Sequence, residues 1–112
     1  MAGSLLVLPA GGTDTGGRIA QSPQLPQLLK KLRASADVVI LDTPPALLTI
    51  EMAELSRQVD SVLVVVRQGK ITRRNLRSLG RQVENWRADV AGAVLTDAEG
   101  DMGPGGYYGY GS

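Results

Sequence analysis

The sequence has no cysteine, no histidine and no phenylalanine, and only one tryptophan. Without thiol or imidazole, it excludes disulfide frameworks, thiolate nucleophiles, Cys/His zinc centres and histidine-dependent triads. Any chemistry falls to carboxylates, hydroxyls, lysine, arginine or tyrosine. Long apolar runs are missing too. The longest candidates, residues 5–8, 38–41 and 62–66, fall far short of the roughly 20 residues that span a bilayer. A secretory leader needs a positive start and an apolar stretch of about 7 to 15 residues. The segment from Met1 to Pro9 offers neither, so the sequence reads as cytoplasmic.

What is present suits one folded domain. The 112 residues are 43% hydrophobic and 21% charged, near the globular average and far from the signature of disorder. The formal net charge of +1 hides an asymmetry. Arg67, Lys70, Arg73, Arg74, Arg77, Arg81 and Arg87 have only Glu84 among them, whereas Asp97, Glu99 and Asp101 lie in a stretch without a base.

Short apolar runs alternate with segments of helical period, the pattern of an α/β chain. Strands are expected at 5–8, 38–41, 62–66 and 90–95. The middle two are apolar on consecutive residues, so they are expected to be buried on both faces of a parallel sheet of about four strands flanked by helices. Ser22-Pro23 announces a first helix with Leu25, Leu28, Leu29 and Leu32 on one face. A second, from about Leu48 to Arg57, presents Leu48, Met52, Leu55 and Val59 to the core. A third begins near Thr72, with Leu76, Leu79, Val83 and Trp86 inward and the arginines largely opposite. The α/β domain is expected over 1–97 and a flexible Gly/Tyr-rich tail over 98–112, where glycine is too frequent for a regular element.

The sharpest motif is Val38-Val39-Ile40-Leu41-Asp42-Thr43-Pro44-Pro45, an apolar strand that delivers a carboxylate at its C-terminal end. Ligands of open α/β sheets gather at that edge. Magnesium needs one or two carboxylates with water and phosphate oxygens, so Asp42 and the adjacent Thr43 suit a magnesium nucleotide. The plain alternative is that Asp42 caps the turn made by Thr43, Pro44 and Pro45. Arg73, Arg74, Arg77 and Arg81 also admit two readings: a solvated helix face, or a receptor for phosphate or an acidic partner. No groove-reading motif points to nucleic acid.

This stretch resembles the Walker B segment of bacterial tyrosine autokinases of the capsular and exopolysaccharide type, relatives of the P-loop partition ATPases. Leu5-Leu6-Val7-Leu8-Pro9-Ala10-Gly11, the helix from Ser22 to Leu32, and the run from Asp60 to Thr72 are similar to successive pieces of the same domain. Tyr107-Tyr108-Gly109-Tyr110 is similar to the tyrosine cluster those kinases phosphorylate on themselves. The resemblance implies the C-terminal half of a P-loop NTPase-like, Rossmann-like three-layer fold. It implies ATP and Mg2+ as cofactors, Asp42 on the metal, Asp42, Thr43 and Thr96 near the nucleotide, and Tyr107, Tyr108 and Tyr110 as phosphoacceptors. It further implies control of polysaccharide polymerisation or export at the inner face of the membrane, with a membrane adaptor of the polysaccharide co-polymerase type as activator.

The departures set expectations of their own. No glycine, four residues, then glycine-lysine-serine/threonine run exists to cradle phosphates. Glu51 stands where the family has aspartate. Thr96 stands where an asparagine would meet the base, and its hydroxyl cannot offer a base edge both a donor and an acceptor. The chain alone is therefore not expected to turn over ATP, because positioning and electrostatics supply most of phosphoryl transfer. Three explanations are open: a truncated gene product, completion by a separate P-loop-bearing subunit, or a small protein kept for interaction, and exposed strand edges are expected to favour self-association. The rival functions are a non-catalytic interaction module or phosphoacceptor subunit, and a partition-type ATPase fragment. The tyrosine cluster weighs against the last.

Overall fold

Residues 3–9 and 19–98 are described by a computed structural model, and they form a mixed α/β chain. Its elements are a 3-10 turn at Ile19–Gln21, helix α1 at Leu25–Ser35, a 3-10 turn at Ala46–Leu48, and α2 at Glu51–Ser56. Strand β1 at Ser61–Arg67, α3 at Arg73–Glu84 and strand β2 at Asp89–Thr96 follow.

Helix α1 starts three residues later than Ser22, although Ser22 still shapes its entry by accepting the Gln24 N–H at 3.2 Å. Pro26 falls in the first turn, where a missing N–H costs little. Leu25 and Leu29 are buried and Leu32 is half-buried, while Leu28 sits at the exposed margin of the stripe. Two contacts tie the helix to the entry of β1. The Arg33 guanidinium donates to the Gln58 carbonyl at 3.2 Å and lies 3.7 Å from the Asp60 carboxylate. Gln58 in turn donates its side-chain amide to the Ala20 carbonyl at 3.4 Å.

The second helix is shorter than the apolar spacing suggests. The Leu48 N–H closes a separate turn on the Pro45 carbonyl at 3.0 Å, and the Thr49 hydroxyl accepts the Glu51 N–H at 3.2 Å. Thr49 itself is extended, so α2 begins at Glu51. Leu48 is left outside, 81% exposed, and is no core residue. Met52 is buried, with Leu55 and Val59 half-buried.

Helix α3 begins where expected. The Thr72 hydroxyl accepts the Asn75 N–H at 3.1 Å, satisfying one of the donors a helix start leaves open. Leu79 and Trp86 are buried and Val83 is half-buried, but Leu76 stays exposed. Thr72→Ala is expected to lower unfolding free energy by about 1 kcal/mol, read as a reduced urea midpoint with an unchanged slope.

Strands β1 and β2 pair in parallel, from Ser61 opposite Asp89 to Arg67 opposite Thr96, with α3 as the crossover. The register slips between Val62 and Leu63, so Ala91 is unmatched and Gly92 follows at φ +157°, a backbone that side chains other than glycine rarely adopt.

The sheet differs from the four-strand expectation. Among the described residues only these two strands pair, and residues 5–8 and 38–41 join no ladder. Leu5, Leu6, Val7 and Leu8 are 68–86% exposed, as are Val38 at 74% and Ile40 at 84%. Nor is 62–66 buried on both faces: Val62, Val64 and Val66 are half-buried, while Leu63 and Val65 are exposed. A strand is covered on both faces only when layers lie on both sides of a sheet wide enough to carry them. Two strands do not provide that width. The buried apolar core is accordingly small: Ala20, Leu25, Leu29, Met52, Leu79 and Trp86.

Candidate functional site

Asp42 follows the apolar stretch that leaves α1, and its side chain is exposed. It makes no hydrogen bond or ion pair among the described residues, so the turn-cap role is not the one the geometry provides. The local contact is made by Thr43 instead, its hydroxyl donating to the carbonyl of the next residue, Pro44, at 3.1 Å. Pro45 then leads into the Ala46–Leu48 turn, which packs against α3. Asp42 is thus a free carboxylate beside a double proline that restricts the backbone on its C-terminal side.

Among the described residues no three His, Cys, Asp or Glu side chains gather into a metal-binding cluster. Mg2+ needs only one or two carboxylates, with water and phosphate oxygens completing its octahedron. An unengaged Asp42 fits that limited demand.

Thr96 ends β2, exposed, with its hydroxyl turned back toward the Val66 carbonyl at 3.5 Å. Its neighbour Asp97 adopts φ +52°, a left-handed backbone that aspartate tolerates, and its carboxylate lies 3.2 Å from the Arg67 guanidinium. The Gln68 N–H donates to the Thr96 carbonyl at 3.0 Å. These contacts fasten the C-terminal ends of both strands together. Sequence reading did not single out Asp97; the only available signal was an aspartate just beyond an apolar run, opposite an arginine at the end of another.

Arg73, Arg74, Arg77 and Arg81 are exposed on α3. Arg81 donates to the Ser78 hydroxyl at 3.3 Å, while the other three make no ion pair or hydrogen bond through their side chains among the described residues. Tyr107, Tyr108 and Tyr110 lie outside the described residues. A shallow, open hollow lined by Ser56, Arg57, Val59 and Arg87 contains none of the expected site residues.

Over 92 residues, 81% of its length, the chain is 33% identical to EpsB of Ralstonia nicotianae, named as a tyrosine-protein kinase. The identity and coverage are the same for EpsB of Ralstonia solanacearum. Over 106 residues, 94% of its length, it is 25% identical to the tyrosine-protein kinase CpsD of Streptococcus agalactiae. The chain is thus similar to bacterial tyrosine-protein kinases over most of its own length. It spans 12% of the length of the EpsB proteins and 46% of CpsD. No family model matches the chain, and no solved structure does. Tyrosine kinases as a class use ATP with Mg2+, and the part of the kinase relatives that this chain matches includes the Asp42 and α3 regions described above.

Proposed function

We propose that the chain is the C-terminal part of an ATP-dependent protein-tyrosine autokinase that serves exopolysaccharide or capsule polymerisation or export and is inactive alone. Similarity to kinase relatives over most of the chain carries this reading, together with a free Asp42 carboxylate at the end of an apolar stretch. Segments 5–8 and 38–41 would become strands of a fuller, P-loop-type sheet when a separate phosphate-loop-bearing polypeptide joins. Their exposed apolar side chains favour such a partner.

In the completed site Asp42 orients the metal, Thr43 and Thr96 border the nucleotide, and a tail tyrosine of a neighbouring copy presents its hydroxyl. Bound Mg2+ supplies charge neutralisation on the phosphate oxygens. A tyrosine among Tyr107, Tyr108 and Tyr110 attacks the terminal phosphorus of ATP, the bond to the bridging oxygen breaks, ADP leaves and the phenol loses its proton. A membrane adaptor would hold the assembly at the inner face of the membrane and activate it. A second reading, a non-catalytic phosphoacceptor module, is favoured by the arginines of α3, which have no ion pair among the described residues, and keeps the tail chemistry with another kinase as donor.

Calorimetric titration with ATP and Mg2+ tests the dependence on a partner. The chain alone is expected to show no saturable binding below millimolar ATP, with or without Asp42→Ala. Saturable binding that Asp42→Ala abolishes would show that the chain holds nucleotide unaided and would overturn the need for a second polypeptide.

A further inference from the structure

Helix α3 is set against itself electrostatically. Arg73, Arg77 and Arg81 follow one another at i,i+4, and Arg74 stands i,i+3 from Arg77, so like charges repel along one face. Arg73 and Arg74 also occupy the first turn, at the positive end of the helix dipole, where no acidic residue balances them. Local stability is lost at Arg73, Arg74 and Arg77, whose side chains have no hydrogen-bond or ion-pair partner among the described residues to compensate. Such conflicts between local rules are expected at functional or strained sites.

The topology shows what can reach them. Because β1 and β2 are parallel, both end at the same edge, where Arg67 faces Thr96 and bridges Asp97. From Arg67 the chain turns tightly through Gly69 at φ +80°, with the Lys70 N–H on the Arg67 carbonyl at 3.3 Å, and α3 begins at Arg73. Thr96 ends β2 at that same edge, and Glu99, Asp101 and the three tyrosines follow it in the sequence. Tyr107 lies nine positions beyond Ala98, a reach of up to roughly 30 Å when extended. Helix α3 is only about 18 Å long.

We propose that the arginine face of α3, centred on Arg73, Arg74 and Arg77, is the docking site for the chain's own tail when Tyr107, Tyr108 or Tyr110 carries phosphate. The inference rests on the kinase reading for its phosphate, and names a regulatory state of the same tail. Each phosphate brings about −1.5 to −2 charge and oxygens that suit a guanidinium fork. Docking places the anion where it relieves both the repulsion between arginines and the unfavourable dipole, and it withdraws the tail's remaining free tyrosine hydroxyls from further transfer. The unphosphorylated tail has only Glu99 and Asp101 to offer beyond Ala98.

The test is a titration of the full 112-residue protein with a labelled synthetic peptide of residues 97–112, with all three tyrosines phosphorylated or none. The phosphopeptide is expected to bind at least about tenfold more tightly, and Arg73→Gln with Arg77→Gln to remove at least about tenfold of that affinity while leaving the circular dichroism spectrum unchanged. Arg57→Gln with Arg87→Gln removes equal charge elsewhere and is expected to have little effect. Equal binding of the two peptides, or equal losses in the two double variants, would overturn the proposal. Tighter binding of a single-stranded oligonucleotide run in parallel would overturn it in favour of nucleic-acid phosphate. Mass spectrometry of the tail in cells reads the kinase assignment separately: unmodified tyrosines would sink that assignment and leave the peptide titration as its own result.

Discussion

Trp86→Ala is expected to abolish the cooperative unfolding transition of the chain at 25 °C, whereas Leu48→Ala is expected to leave it within about 0.5 kcal/mol of the parent. Trp86 is one of six buried apolar side chains among the described residues and lies just beyond α3, the crossover between the two strands. Truncating a buried tryptophan costs about 3–5 kcal/mol through lost transfer energy and the cavity left behind. A domain of this size has total stability of about 5–15 kcal/mol, and this one, with much apolar surface still in water, belongs at the low end. Leu48 is 81% exposed and has little burial to lose. Because Trp86 is the only tryptophan, the measurement is far-UV circular dichroism against urea and not intrinsic fluorescence. A Leu48→Ala loss comparable to that of Trp86→Ala would mean that the spacing of Leu48, Met52, Leu55 and Val59, and not the observed break at Thr49, describes the core.

That contrast shows where sequence pattern is reliable. Elements governed by neighbours in the chain were legible: the Thr72 cap of α3, the stripe of Leu25, Leu29 and Leu32 on α1, and the β-branched run of β1 are all written within a few residues. Leu48 was misassigned because the backbone extends at Thr49, whose hydroxyl takes the Glu51 N–H at the start of α2, an outcome the apolar period does not encode. Strand status at 38–41 was not legible for a different reason. An apolar β-branched run states that a segment can be a strand, but pairing needs a partner edge, and the partner is not a local property. The same limit governs the site. Asp42 was found from its place after an apolar run, and its freedom from the turn could be learned only from Thr43 taking up the Pro44 carbonyl. The arginines of α3 could be counted in the sequence, but their position at the edge from which the tail departs depends on the parallel register of β1 and β2.

The open sheet leads to the second large effect. We propose that the chain associates with itself through this exposed face; Leu63→Lys with Val65→Lys is then expected to weaken that association at least about thirtyfold, read by sedimentation velocity over a concentration series. Leu63 and Val65 alternate onto the same face of β1, 58% and 60% exposed, and Val94 lies opposite Val65 in the ladder at 42% exposed. Residues 61–66 carry no charge and no proline, so the strand lacks the usual devices that keep exposed strands from meeting one another. Full burial of a valine or leucine contributes about 1.5–3 kcal/mol. Covering the exposed share of two such side chains therefore contributes roughly 2–3 kcal/mol, and each 1.4 kcal/mol is tenfold in association. Like-charged lysines facing each other across the contact add to the loss. Leu48→Lys with Ile50→Lys removes two side chains of similar size and greater exposure away from the sheet. If that control dispersed the protein equally well, association would be a property of exposed apolar area in general, and the face of β1 would have no special part in it.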